Sequence, residues 1–225
     1  MDQHQIVGVL ASNPMFDRLS RYELTKLSED FSERRYAKGD PVFIQGAPGD
    51  ALFVLVEGSL KVVLTSEDGE EMVLVTLRPP GSVGELALAD GGPRSASVIA
   101  LEDSHMLVLP RSRWIQRMGE HAALRQALLE VLATTLRRLT DQAADFVFLD
   151  LQGRVAKLLI SLAEAGESES LDLKMTQTDI AHMVGGSRQS VNQILRGFQH
   201  RGDLEVDGGS LVIKNLERLR RLAHV

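Results

Sequence analysis

Residues 176–198 read TQTDIAHMVGGSRQSVNQILRGF, and this stretch decides the architecture. Thr176 followed by Asp179 has the form of a capping box, with Asp a shorter substitute for the usual Glu. Ile180, Ala181 and Met183 give the first helix an apolar face. Val184-Gly185-Gly186 makes a tight turn, with Gly185 suited to the left-handed conformation that ends a helix. Ser187 then caps a second helix running to about Phe198, with Val191, Ile194 and Leu195 turned inward. Two short helices joined by a glycine turn form a helix-turn-helix. Arg188, Gln189, Asn192, Gln193 and Arg196 lie on the outer side of the second helix. Arginine bonds guanine O6 and N7 together, and the carboxamides do the same to adenine N6 and N7. Thr176, Gln177, Ser187 and Ser190, at the helix starts, complete the candidate DNA-binding set. A helical hairpin whose polar face meets only water has the same spacing. The next segment, Leu204–Ile213 with Gly208-Gly209 at its centre, reads as a β-hairpin wing and favours DNA.

Working upstream, Gly153–Ala165 is an amphipathic helix with Val155, Leu158, Leu159 and Leu162 on one face, and 166–170 reads as a polar loop. Between Arg111 and Asp150 there is no proline and one glycine, Gly119. Leu128, Leu132, Thr135, Leu139, Gln142, Phe146 and Leu149 follow a 4-3-4-3-4-3 spacing. Two readings fit this a/d stripe: a seam with a second long helix, or a helix packed on its own domain. The narrow stripe and polar flanks favour the seam, hence a homodimer.

From Tyr36 to Pro110 the pattern changes to short β-type runs: 42–44, 52–56, 60–64, 72–75, 96–100 and 105–109. Gly39, Gly46, Gly49, Gly58, Gly69 and Gly81 punctuate them as turns. Such runs predict a small antiparallel barrel or jelly roll. Ahead of it, Val7, Leu10, Phe16, Leu19, Leu24 and Leu27 mark helices broken at Asn13-Pro14.

The 225 residues suffice for more than one core, and the formal charge is −6. Residues 1–149 carry 15 Lys and Arg against 21 Asp and Glu, while residues 150–225 carry 10 against 10. The acidic excess thus lies in the first two-thirds; the neutral remainder binds phosphate only if its basic side chains share one face, so charge by itself says little for DNA. With no cysteine, disulfides and thiolate-ligated clusters are excluded. The six histidines are scattered without a short-spaced pair, so no metal site is expected. No nucleophile–base pair or Walker loop is present, which argues against an enzyme. No apolar run approaches a bilayer span, and the first residues lack signal-peptide character. The expectation is a cytoplasmic protein without membrane contact.

The order of parts resembles the CRP/FNR family of bacterial transcription regulators over nearly the whole chain. The resemblance rests on Lys38-Gly39, Gly46-Ala47-Pro48-Gly49-Asp50, Glu57-Gly58, Phe148-Leu149-Asp150 with Gly153-Arg154-Val155-Ala156, and Thr176 through Leu195. It implies an α+β chain: an effector domain over residues 1–118, built on a double-stranded β-helix (jelly-roll) barrel of cyclic-nucleotide-binding type, a dimerisation helix over 119–149, and a winged helix-turn-helix over 150–225. It also implies a homodimer on pseudo-palindromic double-stranded DNA, with RNA polymerase as a further partner. Arg188, Gln189 and Gln193 fall where members contact bases. In the cAMP-receptor type the second and third are Glu and Arg, so the preferred half-site here is expected to differ.

Gly84-Glu85-Leu86-Ala87 with Pro93-Arg94-Ser95-Ala96-Ser97 resembles the phosphate cassette of cyclic-nucleotide domains. Gly84 would let backbone approach the ligand, and a helix starting near Glu85 would aim N–H groups at phosphate. Arg94 would offer its fork to the cyclic phosphate, Ser95 a hydroxyl, and Glu85 an acceptor for the ribose 2′-hydroxyl. A plain Glu85–Arg94 ion pair is the alternative. Two positions where the cAMP-receptor type touches adenine are Leu139 and Thr140; only Thr140 keeps hydrogen-bonding groups. The resemblance implies cyclic AMP as the effector; because Leu139 makes no hydrogen bond to a base, cyclic GMP or another nucleotide stays open beside it. The same fold sensing another signal, such as haem, or none, stays open.

Overall fold

The computed structural model describes residues 1–69, 71–165, 170–171, 177–207 and 210–224. It divides into two compact units, Met1–Arg137 and Arg138–Val225. In the first unit α1 (Gln3–Ser12) and α2 (Arg21–Ser28) precede eight strands: β1 (Ser32–Tyr36), β2 (Pro41–Phe43), β3 (Ala51–Glu57), β4 (Leu60–Thr65), β5 (Glu71–Leu77), β6 (Ser82–Val83), β7 (Ser97–Ala100) and β8 (Ser104–Pro110). A short α3 (Glu85–Asp90) lies between β6 and β7, and α4 (Arg111–Glu120) follows β8. Helix α5 (Ala122–Phe148) crosses from the first unit into the second. The second unit continues with α6 (Leu151–Ala165), β9 (Ser170–Leu171), α7 (Gln177–Val184), α8 (Arg188–His200), β10 (Leu204–Asp207), β11 (Ser210–Ile213) and α9 (Leu216–Ala223). The chain is α+β, as the sequence predicts.

Two antiparallel four-stranded sheets build the barrel, in the orders β1-β8-β3-β6 and β2-β7-β4-β5. The uninterrupted apolar runs of β3 and β8 have a simple cause: both faces are buried. Ala51, Phe53, Leu55, Met106 and Val108 point into the barrel. Their alternates Leu52, Val54, Leu107 and Leu109 meet a second core on Phe16, Leu24, Leu27 and Trp114 of the flanking helical segments. Successive side chains alternate between faces, so a strand covered twice is apolar at every step.

Strand β1 (SERRY) carries no apolar run, and the sequence reading passes over it. Four of its five residues are exposed, and its pairing with β8 is what makes it a strand. Of the six punctuating glycines, Gly39, Gly46, Gly58 and Gly69 adopt positive φ, whereas Gly49 and Gly81 do not. Gly49 is required by contact: a Cβ there would sit 2.1 Å from that of Ala87. Gly58, at φ +96°, is also closed in by the Ser104 Cα at 2.8 Å and the Asp103 carbonyl at 2.9 Å from a would-be Cβ. Gly58→Ala is therefore expected to destabilise the first unit by about 2–3 kcal/mol, several degrees of melting temperature in a calorimetric scan.

The second unit has its own core, in which Val155, Ala156, Leu159 and Ile160 of α6 meet Ile180, Val184, Val191, Leu195, Phe198 and Leu219. β9, β10 and β11 form a three-stranded antiparallel sheet in the order β10-β11-β9. Ser170, expected in a loop, opens β9; residues 166–169, the Thr176 cap and the Gly208-Gly209 turn of the wing lie outside the described residues. Among the described residues no helix is long and apolar enough to cross a membrane.

The stretch 111–149 is two helices, broken at His121, which is extended at φ −124° and ψ 109°. Six of the seven positions on the expected stripe lie on α5, the seventh, Leu149, being buried just past its end. Leu128 is buried and Leu132 packs beside it in the helical core of the first unit. Thr135 and Gln142 are half-buried, and Leu139 and Phe146 are partly exposed. The stripe that faces solvent runs one residue later: Leu129, Leu136 (66% exposed), Thr140, Ala143 and Val147 (75% exposed), with half-buried Ala133 between the first two.

Candidate effector pocket and DNA-reading surface

Arg94 is the unusual residue of the barrel. Only 3% of it is exposed, yet arginine keeps its charge under all ordinary conditions. Its backbone is pinned by two 2.8 Å hydrogen bonds, Gly46 N donating to its carbonyl and its N–H to that of Ala47. The guanidinium lies over the Phe43 ring, 4.1 Å from its centroid, and 5.6 Å from that of Phe53. Nη2 donates to the Ala51 carbonyl at 2.8 Å and stands 3.5 Å from Oδ1 of Asp50. Nε and Nη1 are buried without a hydrogen-bond partner. Burial pushes the guanidinium below its ordinary pKa, while the negative charges of Asp50 and Glu85 oppose that shift.

Gly84 caps α3 in the left-handed conformation, φ +97°. A Cβ there would lie 2.4 Å from Nη1 of Arg94 and 2.9 Å from the Ala51 carbonyl, so the bare α-carbon is what admits the guanidinium. Glu85 and Leu86 open α3; Glu85 is half-buried and its charge is felt by Arg94, Leu86 is exposed, and Ala87 is buried against Gly49. Ser95 is exposed beside Arg94. Gly84, Glu85, Arg94 and Ser95 are thus brought together in the first unit, while Leu139 and Thr140 are exposed on α5 beyond its end. Sequence reasoning missed Phe43 and Phe53. Both sit in strand runs whose cross-barrel neighbours no local pattern reveals. Asp50 lay within the motif that carried the resemblance, but without a role.

In the second unit Ser187 caps α8, its Oγ accepting from Ser190 N at 3.1 Å and lying 2.8 Å from Ser190 Oγ. Val191, Leu195 and Phe198 are buried under α8, which leaves Arg188, Gln189, Gln193 and Arg196 exposed on its other side. Asn192 Nδ2 donates to Gln177 Oε1 at 2.9 Å, joining the first turn of α7 to α8. Where α8 gives way to the wing, Asp203 is buried and pairs with Arg201 at 3.2 Å and Arg218 at 3.6 Å. Among the described residues no group of three His, Asp or Glu is placed to hold a metal ion.

Residues 33–121 match the model of the cyclic nucleotide-binding domain, and residues 153–222 that of the Crp-like helix-turn-helix domain. The CRP-like cAMP-activated global transcriptional regulator of Mycobacterium tuberculosis is 34% identical over 220 residues, covering 96% of this chain and 98% of its own. The catabolite activator protein of Thermus thermophilus shares 28% identity and superposes with a TM-score of 0.57, covering 94% of this chain and 99% of its own. A third similar structure is the c-di-GMP-responsive global regulator CLP of Xanthomonas campestris, at 21% identity and a TM-score of 0.74, covering 86% and 99%. At that identity the likeness concerns the fold alone.

Proposed function

From the premise that this chain belongs to the CRP/FNR family of transcription regulators, which are not enzymes, we propose that it is a homodimer controlled by a cyclic nucleotide bound in its barrel, with cyclic AMP the first candidate and cyclic GMP the second. The observation that carries this reading is Arg94. A buried guanidinium with two orphaned donors is costly to keep, by roughly 1–3 kcal/mol per unmet group. An anionic oxygen arriving beside Nε and Nη1 removes that cost. A cyclic phosphate meets the requirement, with Ser95 and the N–H groups opening α3 as further donors and Glu85 as acceptor for the 2′-hydroxyl. Gly84, Leu86 and Ala87 shape the approach. Thr140 is retained as the candidate for base contact.

The division proposed for function is residues 1–118 for effector binding, 119–149 for pairing and 150–225 for DNA. Pairing uses the stripe Leu129, Ala133, Leu136, Thr140, Ala143 and Val147, exposed except at half-buried Ala133, whose 4-3-4-3-4 spacing is that of an a/d seam. Leu128 and Leu132 stay in the chain's own core. Leu136→Glu places a charge in that seam, with an expected loss of about 2 kcal/mol, near 30-fold in the dimer dissociation constant, read by analytical ultracentrifugation. Two α8 helices then meet successive major grooves about 34 Å apart. Arg188 pairs with guanine, while Gln189, Asn192, Gln193 and Arg196 complete the readout and Gln177, Ser187 and Ser190 support it, with Thr176 assigned the first cap. The setting is the cytoplasm, with RNA polymerase as the partner at promoters.

The test is calorimetric titration with cyclic AMP, cyclic GMP and c-di-GMP, alongside mobility shift on duplexes selected from a random pool. Tighter DNA binding with one cyclic nucleotide supports the reading. Equal DNA affinity with and without every nucleotide removes the switch, and no binding to any duplex removes the function.

A further inference from the structure

The two glycines between α7 and α8 are each pressed by a side chain, one from the last turn of α5 and one from the first residue of α6. Gly185, at φ +64°, has the Phe146 ring against its α-carbon: a Cβ there would stand 2.7 Å from Cε1 and 3.1 Å from Cζ. At Gly186 the corresponding distance is 2.7 Å to Cδ1 of Leu151. Arg154 of α6 closes the group. Its guanidinium carbon is 4.9 Å from the Phe146 centroid, Nε donates to the carbonyl of Val184 at 2.9 Å, and Nη1 donates to that of Leu149 at 2.8 Å. Val184 ends α7, so one planar fork ties its carbonyl to that of Leu149, just past the end of α5, and lies against the Phe146 ring. Lys157, bound to Asp145 at 2.6 Å, fastens the same turn of α5 to α6. Phe146, at a heptad position in the sequence, therefore faces the helix-turn-helix.

We propose that Phe146 and Arg154 are positioning residues for DNA recognition. They set the direction of α8 from the last turn of α5, and the paired glycines of the turn exist to receive the side chains that do so. This rests on the reading of α8 as the DNA-contacting helix. Neither residue touches DNA in it. Phe146 is 40% exposed, so truncating it leaves the core of the second unit in place.

The experiment is a double-mutant cycle of Phe146→Ala and Gly185→Ala in the full chain. DNA affinity is measured on a duplex selected from a random pool and on the same duplex with one base pair inserted between half-sites. Circular dichroism melts monitor folding. Gly185→Ala is expected to weaken binding roughly 10-fold or more, because its methyl meets the ring in a backbone conformation L-residues rarely adopt. In the double variant, without the ring, part of that loss is recovered, so the two effects fall short of multiplying by at least about 5-fold. Phe146→Ala and Arg154→Lys narrow the discrimination against the inserted base pair to less than a third of the parent's, while Phe146→Tyr, which keeps the ring, retains it. Effects that multiply within about 2-fold, or unchanged spacing discrimination in Phe146→Ala, overturn the proposal. A parent protein that binds no duplex instead overturns the DNA reading beneath it.

Discussion

Arg94→Met is expected to weaken cyclic-nucleotide binding by roughly 10²–10³-fold while changing the stability of the ligand-free protein by less than about 1 kcal/mol. The two effects separate because the guanidinium is poorly served when no anion is present. Its Nε and Nη1 lack partners in the barrel, and burial already works against its charge. Methionine fills much of the same volume against Phe43 and Phe53 and relieves that desolvation. Against this stands the loss of one hydrogen bond to the Ala51 carbonyl and of the contact with the rings. Asp50 adds little to the loss, because its side chain is 83% exposed and regains water. The ligand has no such substitute: removing one side of a buried charge pair costs several kcal/mol. Arg94→Lys keeps the charge but not the planar fork, and an intermediate loss is expected. Calorimetric titration and thermal melting of the same preparations check both halves. A variant that unfolds yet, where folded, binds nucleotide normally would show that Arg94 serves the barrel alone.

Arg188→Ala is expected to leave folding unchanged and to erase a guanine preference at one position in each half-site. A bidentate arginine–guanine pair contributes about 1–3 kcal/mol of discrimination, and a dimer uses it twice, so the full site weakens by roughly 10²–10⁴-fold. Arg188 is exposed on the first turn of α8, so its removal opens no cavity. Binding to unrelated duplex should fall much less, since that term comes from phosphate contacts and is governed by salt. Selection from randomised duplexes, followed by mobility shift at two salt concentrations, measures both. A uniform weakening across all sequences with a shallower salt dependence would reassign Arg188 to phosphate.

Legibility differed between the two units for a physical reason. In the second unit the Ser187 cap, the turn glycine and the 3.6-residue spacing of α7 and α8 each lie within a short window, and both helices were readable there. In the barrel, the runs of β3 and β8 revealed strands because both faces are covered. The edge strand β1 was invisible because its outer residues meet water and its pairing partner lies some 70 residues away in the chain. The cassette motif brought Glu85 and Arg94 to attention, but not the rings of Phe43 and Phe53 that hold the guanidinium.

The heptad on α5 shows where such reading stops. Spacing alone selects Leu128 and Leu132 as well as their neighbours one residue on, since two adjacent stripes of one helix have the same period. Contact with α1, α2 and the outer face of the barrel decides between them, burying Leu128 beside Leu132 and leaving Leu129 and Leu136 in water. Phe146 is taken by Gly185 in the same way. The identity of the helices and of the doubly covered strands, the order of parts and the polar face of α8 are local properties, encoded in residues that are neighbours along the chain. Which apolar stripe stays outside, and which cation is buried with its donors unmet, depend on segments far apart in sequence. Only packing brings those together.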